Sequence, residues 1–246
     1  MRKKILLPFF SVLVSFAFTS ADVSSEFSSE IVSNSTVISS KTAIPEIGLE
    51  ERIENLYNDF TLTNTNMPSL IAFQNAMIGY YKLSESQKIE NNILTIVDFS
   101  LPSSQKRMWI LDMEKNIVLF HTLVAHGRNT GLNEARNFSN VNGSHKSSLG
   151  FYLTAETYFG KHGLSLRLDG MEKGINDQAR SRAIVVHGAD YATPAFVNRV
   201  GRLGRSYGCP AVPTKLSKEI IQTIKNKSCF FIYFPSEKYV KNSQLI

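Results

Sequence analysis

A chain of 246 residues with 43% hydrophobic and 20% charged side chains is long enough to bury a full core and too apolar to be intrinsically disordered. The formal charge of +6 overstates its basicity, because Arg2, Lys3 and Lys4 supply three of those charges from one N-terminal cluster. What is left is mildly cationic, suited to an anionic polymer but not the charge of a nucleic-acid binder, and two cysteines are too few for a disulfide scaffold.

Residues 1–21 read as a signal peptide: a basic start, an apolar run from Ile5 to Phe18, and the small residues Thr19-Ser20-Ala21. The run is about fourteen residues, short of the roughly 20 that a membrane span needs. An uncleaved anchor is the alternative, and it would be the chain's only membrane contact. Residues 22–45 form a Ser/Thr-rich linker with too few apolar side chains to offset chain entropy. Residues 46–90 are an N-terminal helical segment. Ile47, Leu49, Ile53, Leu56, Tyr57 and Phe60 recur at helical spacing, as do Leu70, Ile71, Phe73, Ala76, Met77, Tyr80 and Tyr81 after a break at Thr61–Pro68.

From residue 91 the period shortens toward two. Strands are predicted at Leu94–Asp98, Met108–Asp112, Ile117–Ala125, Gly150–Thr154, Leu164–Leu168, Arg182–His187 and Cys229–Phe234, with a helix over Thr214–Asn226. Residues 91–246 therefore read as one domain, mainly β with flanking helices, of β-sandwich or barrel-like architecture.

Chemistry concentrates between Ser181 and Pro213. Ala183-Ile184-Val185-Val186 is a buried-strand pattern that ends at His187-Gly188, and Cys209 lies in the turn Ser-Tyr-Gly-Cys-Pro. A turn cysteine near arginines is placed to form a thiolate, and a histidine at a strand end is placed to act as its base. The histidine precedes the cysteine, the reverse of the papain-like order. The competing reading is a Cys209–Cys229 disulfide with a structural His187, in a non-catalytic domain that binds the cell envelope. No metal-ligand spacing and no phosphate loop is present, so neither metal nor cofactor is expected.

The blocks LTIVDFSLPSSQKRMWILD, TLVAHGR, FSN, SSLGFYLT, GKHGLSLRLDG and HGA–GRLGRSYGCPAVP, in this order between Leu94 and Tyr233, resemble the L,D-transpeptidase (YkuD-type) family, and most closely its murein L,D-transpeptidase catalytic-domain branch. The resemblance implies that Cys209 is the nucleophile, His187 its base, and the Gly188 carbonyl the group that orients the imidazole. It implies an oxyanion hole from the backbone of Tyr207, Gly208 and Cys209. The substrate would be a peptidoglycan stem peptide and the acceptor a peptide or envelope-protein amine, which places the chain in the periplasm or cell envelope. An L,D-carboxypeptidase would use the same acyl-enzyme with water. Many members of the wider family carry an arginine soon after the cysteine, where this chain has Pro210-Ala211-Val212-Pro213. Arg205 and Arg202 are the expected replacements, with Ser206, Tyr191 and His126 as further substrate-binding candidates.

Overall fold

The protein is described by a computed structural model over residues 48–63 and 67–246; the expected signal segment 1–21 and linker 22–45 lie outside the described residues. Two helices come first, α1 (Leu49–Thr63) and α2 (Leu70–Glu85). They follow from the two apolar stripes, and Ser69 caps α2 by accepting a hydrogen bond from Ala72 N at 3.3 Å. Strands β1 (Ile93–Asp98), β2 (Met108–Asp112) and β3 (Ile117–Thr122) form a meander. The hairpin β4 (Gly150–Gly160) and β5 (Gly163–Gly170) follows, then β6 (Val185–Ala189), a short helix α3 (Pro194–Val200), β7 (Ala211–Pro213), α4 (Thr214–Ile224), β8 (Cys229–Tyr233) and α5 (Glu237–Asn242).

All eight strands belong to one sheet, in the order β3-β2-β1-β8-β4-β5-β6-β7. Two of its pairings are parallel, β1 with β8 and β6 with β7. The two edges then find each other. The chain running on from β3 pairs Ala125 with Ala211 of β7, through Ala125 N to Ala211 O at 2.8 Å and Ala211 N to Ala125 O at 3.3 Å. The sheet is thus nearly closed and barrel-like, which removes the exposed strand edges of an open sheet. Arg107, wholly buried, ties this closure down by donating to Val124 O from Nε and Nη2 and to Leu101 O from Nη1.

The core holds β1, β2 and β8, buried along their whole length, together with the inner faces of both N-terminal helices. Ile53, Phe60, Phe73, Met77 and Leu83 are buried with the sheet residues Phe151 and Phe231, so α1 and α2 share the core of the sheet. The closest approach is at Gly79. A Cβ there would stand 2.1 Å from Cζ of Phe151, whose ring is itself stacked on Phe231 at 4.2 Å.

Most predicted strands recur within two residues, and the differences have local causes. β6 starts at Val185 rather than Arg182 because Ala183 takes φ +54°, which no strand accommodates. β4 runs six residues past Thr154, because its outer half pairs only with β5 as an overhanging hairpin and lacks an apolar face. β7, α3 and α5, at three, seven and six residues, are too short to show a period. Both cysteines are free, and Cys229 is wholly buried in β8, so the disulfide expected on the competing reading is absent.

Gly79→Ala is expected to lower stability by about 1–3 kcal/mol despite the better helix propensity of alanine, since the Phe151 ring cannot give way. A fall in the urea midpoint at unchanged slope checks this; a rise would show that α2 is not held against Phe151.

Candidate active site

The parallel pairing of β6 with β7 builds the site. His187 lies opposite Ala211, and its backbone N–H points to Pro210 O at 3.4 Å. Cys209, two residues before Ala211, is therefore brought beside β6 although α3 and a long loop separate the two in sequence. Gly188 serves this packing: a Cβ there would meet Ser217 Oγ at 2.7 Å and Thr214 Cα at 3.2 Å, so only glycine lets α4 close on β6.

The imidazole of His187 is 2% exposed, and its Nδ1 lies 2.9 Å from Gly188 O. A carbonyl only accepts, so Nδ1 carries the proton and the neutral ring leaves Nε2 free as a base. Nε2 has no hydrogen-bond partner among the described residues. Burial pushes the ring below its ordinary value, the Gly188 carbonyl pulls it up, and His162 pushes it down again. It is neutral at pH 7.

The cysteine turn is held from both sides. Gly208 takes φ +125°, and a Cβ on it would press on Lys146 O at 2.9 Å. Ser206 Oγ accepts from Gly208 N at 3.1 Å and donates to Cys209 O at 2.6 Å. Ser147 Oγ donates to Gly208 O and accepts from Gly127 N, each at 3.1 Å. The N–H of Tyr207 is left without an acceptor among the described residues and that of Cys209 faces only its own sulfur, whereas that of Gly208 is already committed to Ser206. Of the three amides expected in an oxyanion hole, two remain available.

The thiol of Cys209 rests on Ala183 O, with Sγ 3.7 Å away. Burial pushes it above its ordinary range, opposed by the Val185 amide, the Arg182 guanidinium and its own amide. Arg182 was not among the residues expected from sequence. It donates to Ser139 O and Ser148 Oγ, both at 2.8 Å, and to Lys146 O at 2.5 Å, so it clamps the 139–148 loop under the cysteine turn while placing positive charge near sulfur. Its signal in the sequence was its position at the foot of the His187 strand.

The substrate-binding candidates divide. Arg205 donates to Arg128 O at 3.2 Å and Gly131 O at 3.3 Å, and Arg202 to Leu203 O at 2.7 Å; neither has a carboxylate partner among the described residues. Asp190, on the same crossover, accepts from Thr214 Oγ1 at 2.7 Å. Burial first, then Arg202 and Arg128, lower the Arg205 guanidinium, so the three guanidinium groups lie near one another. Tyr191 is near enough to Cys209 that the thiolate, after burial, contributes to raising its phenol to about 12.

Two candidates are corrected. His126 is wholly buried, with Nδ1 2.8 Å from Arg107 Nη2 and Nε2 3.2 Å from Gly131 O, and so reaches no substrate. Ser206 is buried and its hydroxyl is consumed by the cysteine turn. A cleft of about 620 Å³ shares Ser139 and Ser148 with the Arg182 clamp but is not lined by His187 or Cys209.

His126 has a measurable consequence. Burial, then Arg107, push it down to about 3, so the folded protein refuses a proton that the unfolded chain accepts near pH 6.5. The stability it contributes is complete above about pH 6.5 and is lost as pH falls toward 3. Urea midpoints taken between pH 7 and pH 5 should fall, and His126→Gln should flatten the slope; an unchanged slope would show that Arg107 does not hold a neutral imidazole.

A family model described as L,D-transpeptidase catalytic domain matches residues 64–233, well over half of the chain and including α2. No curated protein matches. Among solved structures, an L,D-transpeptidase from Mycobacterium smegmatis is 11% identical with a TM-score of 0.36, covering 58% of this chain and 59% of its own. An L,D-transpeptidase from Mycobacterium tuberculosis is 13% identical with a TM-score of 0.35, covering 58% of each. The helical cell shape determining protein Pgp2 from Campylobacter jejuni is 13% identical with a TM-score of 0.39, covering 65% of this chain and 57% of its own. The chain spans less than two thirds of the length of each.

Proposed function

The chain belongs to the L,D-transpeptidase catalytic-domain family, and from that premise we propose that it is a cysteine acyltransferase acting on peptidoglycan stem peptides. The observation that supports the reading is the β6–β7 register, which brings the Cys209 turn alongside the strand that carries His187, whose tautomer is held by Gly188 O.

Cys209 and His187 are both neutral at rest, so the pair works by general-base catalysis rather than as a preformed ion pair. Nε2 of His187 takes the thiol proton as sulfur attacks the carbonyl carbon between the L-centre of the diamino acid and the terminal D-alanine. The oxyanion that develops is met by the free amides of Tyr207 and Cys209, a donor type worth roughly 3–4 kcal/mol each in acyl transfer. The tetrahedral species collapses with rupture of the C–N bond, and the imidazolium returns its proton to the departing amine of D-alanine. A thioester remains on Cys209. An acceptor amine then attacks the thioester carbonyl and gives its proton to His187; the C–S bond breaks, and the thiolate recovers the proton from His187.

Arg182 supports the thiolate in this cycle, and the unpaired Arg205 and Arg202 capture substrate carboxylates, with Tyr191 beside them. A chain that works on peptidoglycan acts in the cell envelope, and export to it is the task assigned to residues 1–21. Water in place of the amine gives an L,D-carboxypeptidase from the same thioester.

Purified tetrapeptide muropeptides incubated with the full chain test the proposal through product masses. Cross-linked dimers with loss of D-alanine are expected, and Cys209→Ser and His187→Ala should each abolish them; tripeptide alone would give the hydrolase, and product from Cys209→Ser would overturn the mechanism. Arg205→Ala should raise KM on the order of tenfold while kcat and the alkylation rate of Cys209 are spared. Unchanged KM in that variant would remove Arg205 from substrate capture.

A further inference from the structure

His187 has a second histidine against it that the mechanism above does not use. His162 lies in the two-residue loop, Lys161-His162, that joins β4 to β5 between the paired residues Gly160 and Gly163, and Gly163 takes φ +73° to complete the turn. The loop is exposed, yet the His162 ring stacks on the His187 ring with centroids 4.4 Å apart and planes 26° from parallel. The hairpin is long for this reason: the pairing of β5 with β6 stops at Ser165 opposite His187, and the hairpin tip continues past it.

The direction of that overhang is set at its base. The β4 ladder is interrupted between Thr154 and Thr157, and Glu156 inside the interruption is gripped by Arg180 Nη1 at 2.8 Å and Arg167 Nε at 3.1 Å. Arg180 also donates to Asp169 of β5 at 2.5 Å, and Arg167 lies over the Tyr158 ring at 4.6 Å. The bulge and its charge network together aim the tip across the end of β6.

We propose that His162 is a positioning residue for His187: its ring covers one face of the imidazole and keeps it in the plane set by the Gly188 carbonyl. This rests on the reading of His187 as the base. The hydrogen bond at Nδ1 fixes one point of the ring but leaves rotation about that contact, and a ring stacked on the face removes it. Nε2 then stays aimed at the reacting groups through both proton transfers. The stack also covers that face of a ring that is itself 2% exposed.

The test uses the full chain and tetrapeptide muropeptides under steady-state conditions, with His162→Ala, His162→Phe and His187→Ala compared. Loss of the ring should lower kcat about tenfold with KM unchanged, the signature of a misaimed proton-transfer group. His162→Phe, which restores a stacking ring without a titratable nitrogen, should recover kcat to within about threefold. Wild-type kcat in His162→Ala overturns the proposal, as does a His162→Phe variant as slow as His162→Ala, or an effect confined to KM. Full turnover in His187→Ala overturns the reading of the base itself and the stack with it, a result that none of the His162 variants can produce alone.

Discussion

Everything at the site depends on one three-residue strand. β7 pairs in parallel with β6 on one side and, through Ala211, with Ala125 on the other. The first pairing sets Cys209 beside His187; the second closes the sheet and ties the cysteine turn to the far edge. A parallel pair needs a long crossover, and the crossover from Asp190 to Pro210 is where the unpaired arginines and Tyr191 are carried. The strand that closes the sheet thereby also places the candidate site residues.

The electrostatics of the pair follow from burial. A thiolate–imidazolium pair of buried groups would carry the desolvation cost of two ions, which their attraction does not reliably offset. Here both groups are pushed toward their neutral forms, the imidazole downward and the thiol upward. In the proposed mechanism charge appears only when substrate arrives, and the fixed partners for it are Arg182 and the Val185 amide near sulfur and the Gly188 carbonyl at Nδ1. The surroundings are preorganised for the charged state while the resting state is uncharged.

Much of this was legible in the sequence, because His187 ends an apolar run and Cys209 sits in a glycine-bounded turn. What was not legible was three-dimensional. His126-Gly127 and His187-Gly188 are the same dipeptide after the same kind of strand, yet Arg107 buries the first and leaves it inert. Nothing local distinguishes them, since Arg107 is nineteen residues from His126. Arg182 was overlooked because its donors reach a loop more than thirty residues earlier. The register of β7 was invisible because three residues have no period.

The proline after the cysteine acquires a reason in this frame. Pro210 has no N–H to leave unpaired between the turn and β7, and its carbonyl faces the backbone N–H of His187. A residue there is committed to the seam that aligns base and nucleophile. The proposed recognition of an anionic substrate is therefore assigned to the other side of Cys209, where Arg202 and Arg205 donate only to backbone carbonyls. Burial, and after it the neighbouring Arg202 and Arg128, lower the Arg205 guanidinium. On the proposed function, a substrate carboxylate would supply the counter-charge that the described residues do not give Arg202 and Arg205.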